Sequence, residues 1–135
     1  MNVRVDPHSL VPPSQQLVAA VLDVIATSSL RPGDRLPSVR SLAAEALVNP
    51  NTVAKAWRDL EHLGVTEGRN GSGVFVTAAG PEVARALRLA ETLATFTTAV
   101  RQALRAGHSE EALLAAFAVE RAMGEDAPAA ARTNA

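Results

Sequence analysis

Between Leu30 and Val76 the chain is punctuated so often that only short elements fit. Arg31-Pro32-Gly33-Asp34 is a turn with a mechanism: proline presets φ at the first central position, and glycine accepts a positive φ at the second. Ser38 offers an N-cap for a helix over Val39–Ala46, with Val39, Leu42, Ala43 and Ala46 inward. After Leu47 and Val48, Asn49 at the cap and Pro50 at the first helical position start a second helix. It runs to Leu63, and Gly64 sits where a left-handed C-terminal cap belongs. Val65–Gly68 and Val74–Thr77 read as two short strands, with Asn70-Gly71 as the hairpin-turn signal. Two short helices followed by a β-ribbon form a shape for laying one helix in a DNA groove.

On a wheel of about 100° per residue, Val53, Trp57 and Leu60 of the second helix fall together and form its buried face. Asn51, Lys55, Arg58 and His62 lie opposite, with Thr52 flanking the first turn. Asparagine suits adenine edges, and lysine or arginine suits guanine edges or phosphate. Backbone amides at the helix start add an expected phosphate site. Blander readings stand beside these. Lys55 can pair with Asp59 and Arg58 with Glu61 along the helix surface, while Arg40 can serve as a structural ion-pair residue. Trp57, the only tryptophan, belongs to the core by its position, His62 reads as solvated surface, and Gly73 as hairpin geometry.

The flanks are helical. Val3–Val11 is an extended lead-in ended by Pro12-Pro13, and from Ser14 to about Ser28 the apolar positions Leu17, Val18, Val21, Leu22 and Ile25 repeat at helical spacing. Pro81 opens a long helix to about Ala106, with a broad apolar stripe that includes Val83, Leu87, Ala90, Leu93, Phe96, Val100 and Leu104. Gly107 ends it, and Ser109 caps a last helix over Glu110–Met123. The expected fold class is mainly α with a small β-hairpin. Residues 10–79 form the winged unit, 80–124 a helical dimerisation region, and 125–135 a disordered tail. The stripe is wider than a surface helix needs, so a homodimer through Leu87, Leu93, Phe96, Val100 and Leu104 is expected. The region is too small to enclose a large metabolite; any small-molecule effector would lie between helices or subunits.

Composition narrows the function classes. Alanine-rich, aromatic-poor sequence favours helix. With no cysteine there are no disulfides or thiolate metal sites, and a reducing cytoplasm is the expected home. No apolar run approaches the roughly 20 residues needed to span a bilayer, so no membrane is expected as a partner. His8, His62 and His108 sit on three elements without a second histidine at ligand spacing. Gly71-Ser72-Gly73 lacks the flanking residues of a phosphate loop or a nucleophile elbow. No catalytic residue, metal or cofactor is expected. The net charge of −1 is neutral evidence, because Arg31–Arg69 carries six cations against five anions and binding follows local potential.

The run "LRPGDRLPSVRSLAAEALVNPNTVAKAWRDLEHLGVTEGRNGSGVFV" closely resembles the DNA-binding domain of GntR-family bacterial transcriptional regulators. The Asn49-Pro50-Asn51-Thr52-Val53 start and the short helical C-terminal region look like the YtrA-type subfamily. The resemblance covers roughly residues 10–78. It implies that a winged helix-turn-helix binds double-stranded DNA. Arg40, and with it the Ser38 segment, reaches DNA from the first helix of the motif, and Arg35 contacts phosphate. Asn51 and Thr52 meet bases and backbone, and Asn70-Gly71 forms the wing tip. Some relatives carry arginines where this chain has Pro50 and Ala54; those contacts do not transfer, and Lys55 and Arg58 are the expected substitutes here. It further implies a repressor acting as a homodimer on a pseudo-palindromic operator, controlling a transporter operon. The competing expectation is a helical protein-interaction module without specific DNA binding.

Overall fold

The computed structural model describes residues 1–125. Its elements run α1 (Pro13–Ala26), α2 (Val39–Ala46), α3 (Pro50–His62), β1 (Thr66–Arg69), β2 (Gly73–Val76), α4 (Gly80–Ala106) and α5 (Glu110–Glu125). Two compact units divide at Arg88/Leu89, inside α4. The first therefore takes in the N-terminal segment and the opening turns of α4 besides the expected winged stretch. No helix among the described residues is long and apolar enough to cross a membrane. The expected tail falls mainly on residues 126–135, outside the described residues; Gly124 and Glu125 continue α5.

The first unit is organised around α3, which packs on both α1 and α2. Leu17, Val21 and Ile25 of α1 meet Leu42 of α2 and Val53, Ala56 and Leu60 of α3 in a core closed from below by Val65 and Val76. Helix α1 stops two residues before the expected Ser28. The Thr27 hydroxyl donates to the Asp23 carbonyl, and Ser28 turns to a positive φ of 63°. Ser38 caps α2 as expected, its Oγ accepting from the Ser41 amide at 3.1 Å. Asn49 and Pro50 start α3, and Gly64, at φ 80°, ends it. Trp57 is core, and its indole N–H donates to the Pro37 carbonyl at 3.3 Å, tying α3 to the entry of α2.

The N-terminal segment is more than a lead-in. Val3 is buried, and Met1 and Val5 pack on the same core. Gln16 holds the following loop by donating to the carbonyls of Asp6 and Val11 and accepting from the Asp6 amide.

The strands lie one residue nearer the tip than the expected Val65–Gly68 and Val74–Thr77, with the same residues facing each other. Thr66 pairs with Val76 and Arg69 with Gly73, so the tip is Asn70-Gly71-Ser72. The Ser72 amide donates to the Arg69 carbonyl, with Gly71 at φ 73°. The Val65 amide is already taken by the Leu60 carbonyl, which leaves that residue outside the regular ladder. A third extended segment, unseen from sequence, lines the other edge. The Gly33 amide donates to Val76 O, Val76 N to Asp34 O, and Leu36 N to Val74 O, and Arg35 bridges Phe75. The Pro-Gly turn thus also delivers a rung of the wing.

Helix α4 begins where Gly80 presses on the wing base; a Cβ there would lie 2.8 Å from the Val65 carbonyl oxygen. Ala84 is buried, Val83 and Leu87 pack on the core, and Arg88 pairs with Asp23 of α1. In the second unit, the rest of α4 turns at Gly107 (φ 102°) into α5, which is capped by Ser109 accepting from the Ala112 amide. Phe96 and Phe117 meet with ring centroids 6.5 Å apart. No residue of α5 is buried.

Candidate nucleic-acid interface

Helix α3 presents two chemically distinct faces. Val53, Ala56, Trp57 and Leu60 are buried, while Asn51, Lys55, Arg58 and His62 are exposed and Thr52 is half-buried. The buried face matters as much as the exposed one, because side chains read a groove only if the helix that carries them is fixed. Here it is held on α1, on α2 and at Trp57.

Lys55 Nζ lies 2.9 Å from Asp59 Oδ2, so the helix-surface pairing is the arrangement in the free protein. Both side chains are substantially exposed. Such pairs stabilise a helix by only about 0.3–0.5 kcal/mol, so a phosphate or a base edge can take Lys55 over at little loss. Arg58 and Arg40 make no ion pair among the described residues, and both are exposed. Glu61 does not face Arg58; its Oε1 accepts the Gly68 amide of β1.

The expected phosphate site on backbone amides at the start of α3 does not form. Pro50 has no amide hydrogen, the Asn51 amide donates to Asn49 Oδ1 at 2.8 Å, and the Thr52 amide donates to the Asn49 carbonyl. The strong Asn-Pro start satisfies the groups that a free helix end would have offered. Phosphate contacts here fall to side chains.

Arg35 and Ser38 border one open groove of about 490 Å³ at the entry of α2. Ser38 Oγ accepts from Ser41 N, and its hydroxyl hydrogen remains available to a phosphate. Arg35 lies over the wing: a Cβ at Gly73 would meet its Nε at 2.6 Å. Gly73 is required by its backbone, at φ 114°, and a Cβ there would push the Arg35 side chain aside. Asn70 and Gly71 are exposed at the tip, as expected.

Arg69 was not among the expected contacts. Its guanidinium sits 4.3 Å from the Phe75 ring centroid and 3.1 Å from Glu67 Oε1. It adds a cation beside the wing tip. The signal was the hairpin itself, since Arg69 opposite Gly73 is diagonal to Phe75 once β1 is seen to extend to Arg69.

The expected dimer residues divide. Leu87 packs on the first unit's core, whereas Leu93, Phe96 and Leu104 are exposed and Val100 is half-buried. Leu89, Leu114, Phe117, Val119 and Met123 are exposed too, so the apolar surface is broader than the one stripe.

Residues 13–76 match the family described as bacterial regulatory proteins, gntR family. The chain is 37% identical over 75 residues to the HTH-type transcriptional repressor YtrA of Bacillus subtilis, a match covering 56% of this chain and 58% of that protein. It thus spans little more than half of that relative's length. It is 33% identical over 99 residues to the HTH-type transcriptional regulator YhcF of the same organism, covering 73% of this chain and 81% of the relative. Among solved structures, a GntR family transcriptional regulator from Listeria monocytogenes is similar with a TM-score of 0.71 and 25% identity, over 84% of this chain and 96% of that one.

Proposed function

The chain belongs to the gntR family of bacterial regulatory proteins, and on that premise we propose that it represses transcription by binding operator DNA as a homodimer. The observation that carries this reading is α3: a helix whose buried face is locked and whose opposite face offers Asn51, Lys55 and Arg58 to a groove. In the major groove, Asn51 reads a base edge through its amide, and Lys55 and Arg58 supply guanine or phosphate contacts. Thr52, Arg40, Ser38 and Arg35 track the flanking backbone. The tip at Asn70-Gly71, with Arg69 beside it, approaches the adjacent minor groove.

Dimerisation falls to the second unit. Leu93, Phe96, Phe117 and Met123 are all more than half exposed, and exposed apolar residues gathered on one unit mark an interaction surface. A second copy covers it symmetrically and sets two readers about one helical turn of DNA apart, roughly 34 Å. The repressor assignment extends the description of the YtrA relative, and control of a transporter operon is proposed on the subfamily resemblance alone.

The test is a fluorescence-polarisation titration against DNA upstream of the chain's own gene over a range of salt. Affinity should fall steeply as salt rises. Lys55→Ala should weaken binding to all sequences. Asn51→Ala should lower discrimination at one base pair by about 1–3 kcal/mol. Equal loss on every sequence would reduce Asn51 to a phosphate contact, and binding that ignores salt would remove the DNA reading altogether.

A further inference from the structure

An acid on a helix that approaches a polyanion is an electrostatic liability. Glu61 is such an acid, exposed near the end of α3, and its side chain is committed to the wing. The sheet explains why the Gly68 amide is there to take it. Val74 and Val76 of β2 direct their backbone groups to the 33–36 segment, through Leu36 N to Val74 O and Val76 N to Asp34 O. Gly68 stands opposite Val74 in the register. In an antiparallel ladder it is therefore the partner whose amide points away from the sheet, toward the open edge of β1. Glu61 Oε1 closes that edge. Glycine permits it, because a Cβ at position 68 would lie 2.8 Å from the same oxygen.

The far edge is closed as well, by the 33–36 segment with Arg35 over Gly73. A two-stranded ribbon is marginal by itself, so its direction depends on what holds its edges. One edge is held by the entry of α2 and the other by α3 itself.

The geometry points to Glu61 as a positioning residue for DNA recognition, whose carboxylate fixes the wing relative to α3 so that helix and wing tip meet one duplex together. This rests on the DNA reading above. The bond is charge-assisted and thus stronger than a neutral one. Holding the wing beforehand removes an ordering cost that binding would otherwise carry.

The sign of the effect separates this role from a bland one. Removing an ordinary surface acid from a DNA-facing helix tightens binding by lowering repulsion. Removing a wing strap weakens it. The experiment uses the full chain with Glu61→Ala and Glu61→Gln, and two readouts: polarisation on a duplex selected for wild-type binding, and amide hydrogen exchange at Gly68 without DNA. The alanine variant should accelerate exchange at Gly68 and weaken binding roughly threefold to tenfold, the scale of one lost hydrogen bond. Glutamine keeps the reach and an acceptor oxygen, so it should retain Gly68 protection and most of the affinity. Tighter binding by both variants, unchanged Gly68 exchange in the alanine variant, or a glutamine variant as impaired as alanine would each overturn the assignment. A wild-type chain that binds no duplex would bring down the DNA reading instead, while the exchange readout would still decide whether Glu61 holds the wing.

Discussion

From Met1 to Arg88 the apolar side chains meet one another, and Leu17, Val21, Ile25, Leu42, Val53 and Leu60 lose their water almost entirely. From Leu89 onward the same kinds of residue form two regular helices, and α5 buries none of them. Helix propensity is not the difference, since the second unit is richer in alanine than the first. What the first unit has in addition is a series of local instructions that agree with its long-range packing: a Pro-Gly turn, two capped helix starts and a glycine helix end. The second unit is told where its helices begin and end, but within it Leu93, Phe96, Leu104, Leu114 and Phe117 stay exposed. On the proposed reading, the first unit folds to read DNA and the second to pair with another copy.

The sharpest way to break this contrast is to truncate one leucine in each unit. Leu60→Ala removes a fully buried side chain and should destabilise the first unit by about 3 kcal/mol, read by urea unfolding through Trp57. Leu93→Ala, at a position 65% exposed, should shift the same transition by less than about 0.5 kcal/mol when the chain is dilute. Equal losses would mean that the second unit is packed after all. Gly80→Ala tests the junction where α4 leaves the wing: its Cβ would meet the Val65 carbonyl oxygen, so destabilisation of about 1–3 kcal/mol is expected by thermal melting. An increase in stability there would show that the close approach is loose.

Leu47 gives an effect of opposite sign. It closes α2 in the left-handed region, at φ 56° and ψ 47°, with its side chain 90% exposed. Leu47→Gly loses no packing and relieves the strain, offset in part by the freer unfolded chain, so a gain of about 0.5 kcal/mol is expected in the same urea assay. The smallest effect on folding should come from Phe96→Glu, which should leave the Trp57 transition within about 0.5 kcal/mol while sedimentation at micromolar concentration shows a monomer in place of the dimer proposed for the wild-type chain. Loss of fold together with loss of dimer would erase the distinction between the two units.

The reach of the sequence follows the same division. Caps and turns are local chemistry, so Ser38, Asn49-Pro50, Gly33 and Gly64 could be placed from their neighbours alone, and the buried and outward faces of α3 from its period. Contacts that depend on a distant strand could not. The 33–36 segment shows no alternation of its own and becomes a rung of the wing only because β2 lies beside it. The strand ends fell one residue short of the tip because Asn70-Gly71 marks a turn without fixing its length, and Arg69 over Phe75 went unseen with them. The partner of Glu61 was equally hidden. Helix spacing offered Arg58, and only the direction of the Gly68 amide explains the actual choice. At the start of α3 a correctly read cap had an unread consequence, since it consumes the amides that a phosphate would have needed.

The central claim is that one unit reads DNA while the other supplies a second reader, and selection of bound sequences from random duplex DNA by the full chain tests it most directly. The expected result is an inverted pair of half-sites whose centres are about one helical turn apart, each specified through the contacts of Asn51, Lys55 and Arg58. Enrichment of a single asymmetric half-site would contradict pairing through the second unit, and no enrichment at all would contradict the reading of α3.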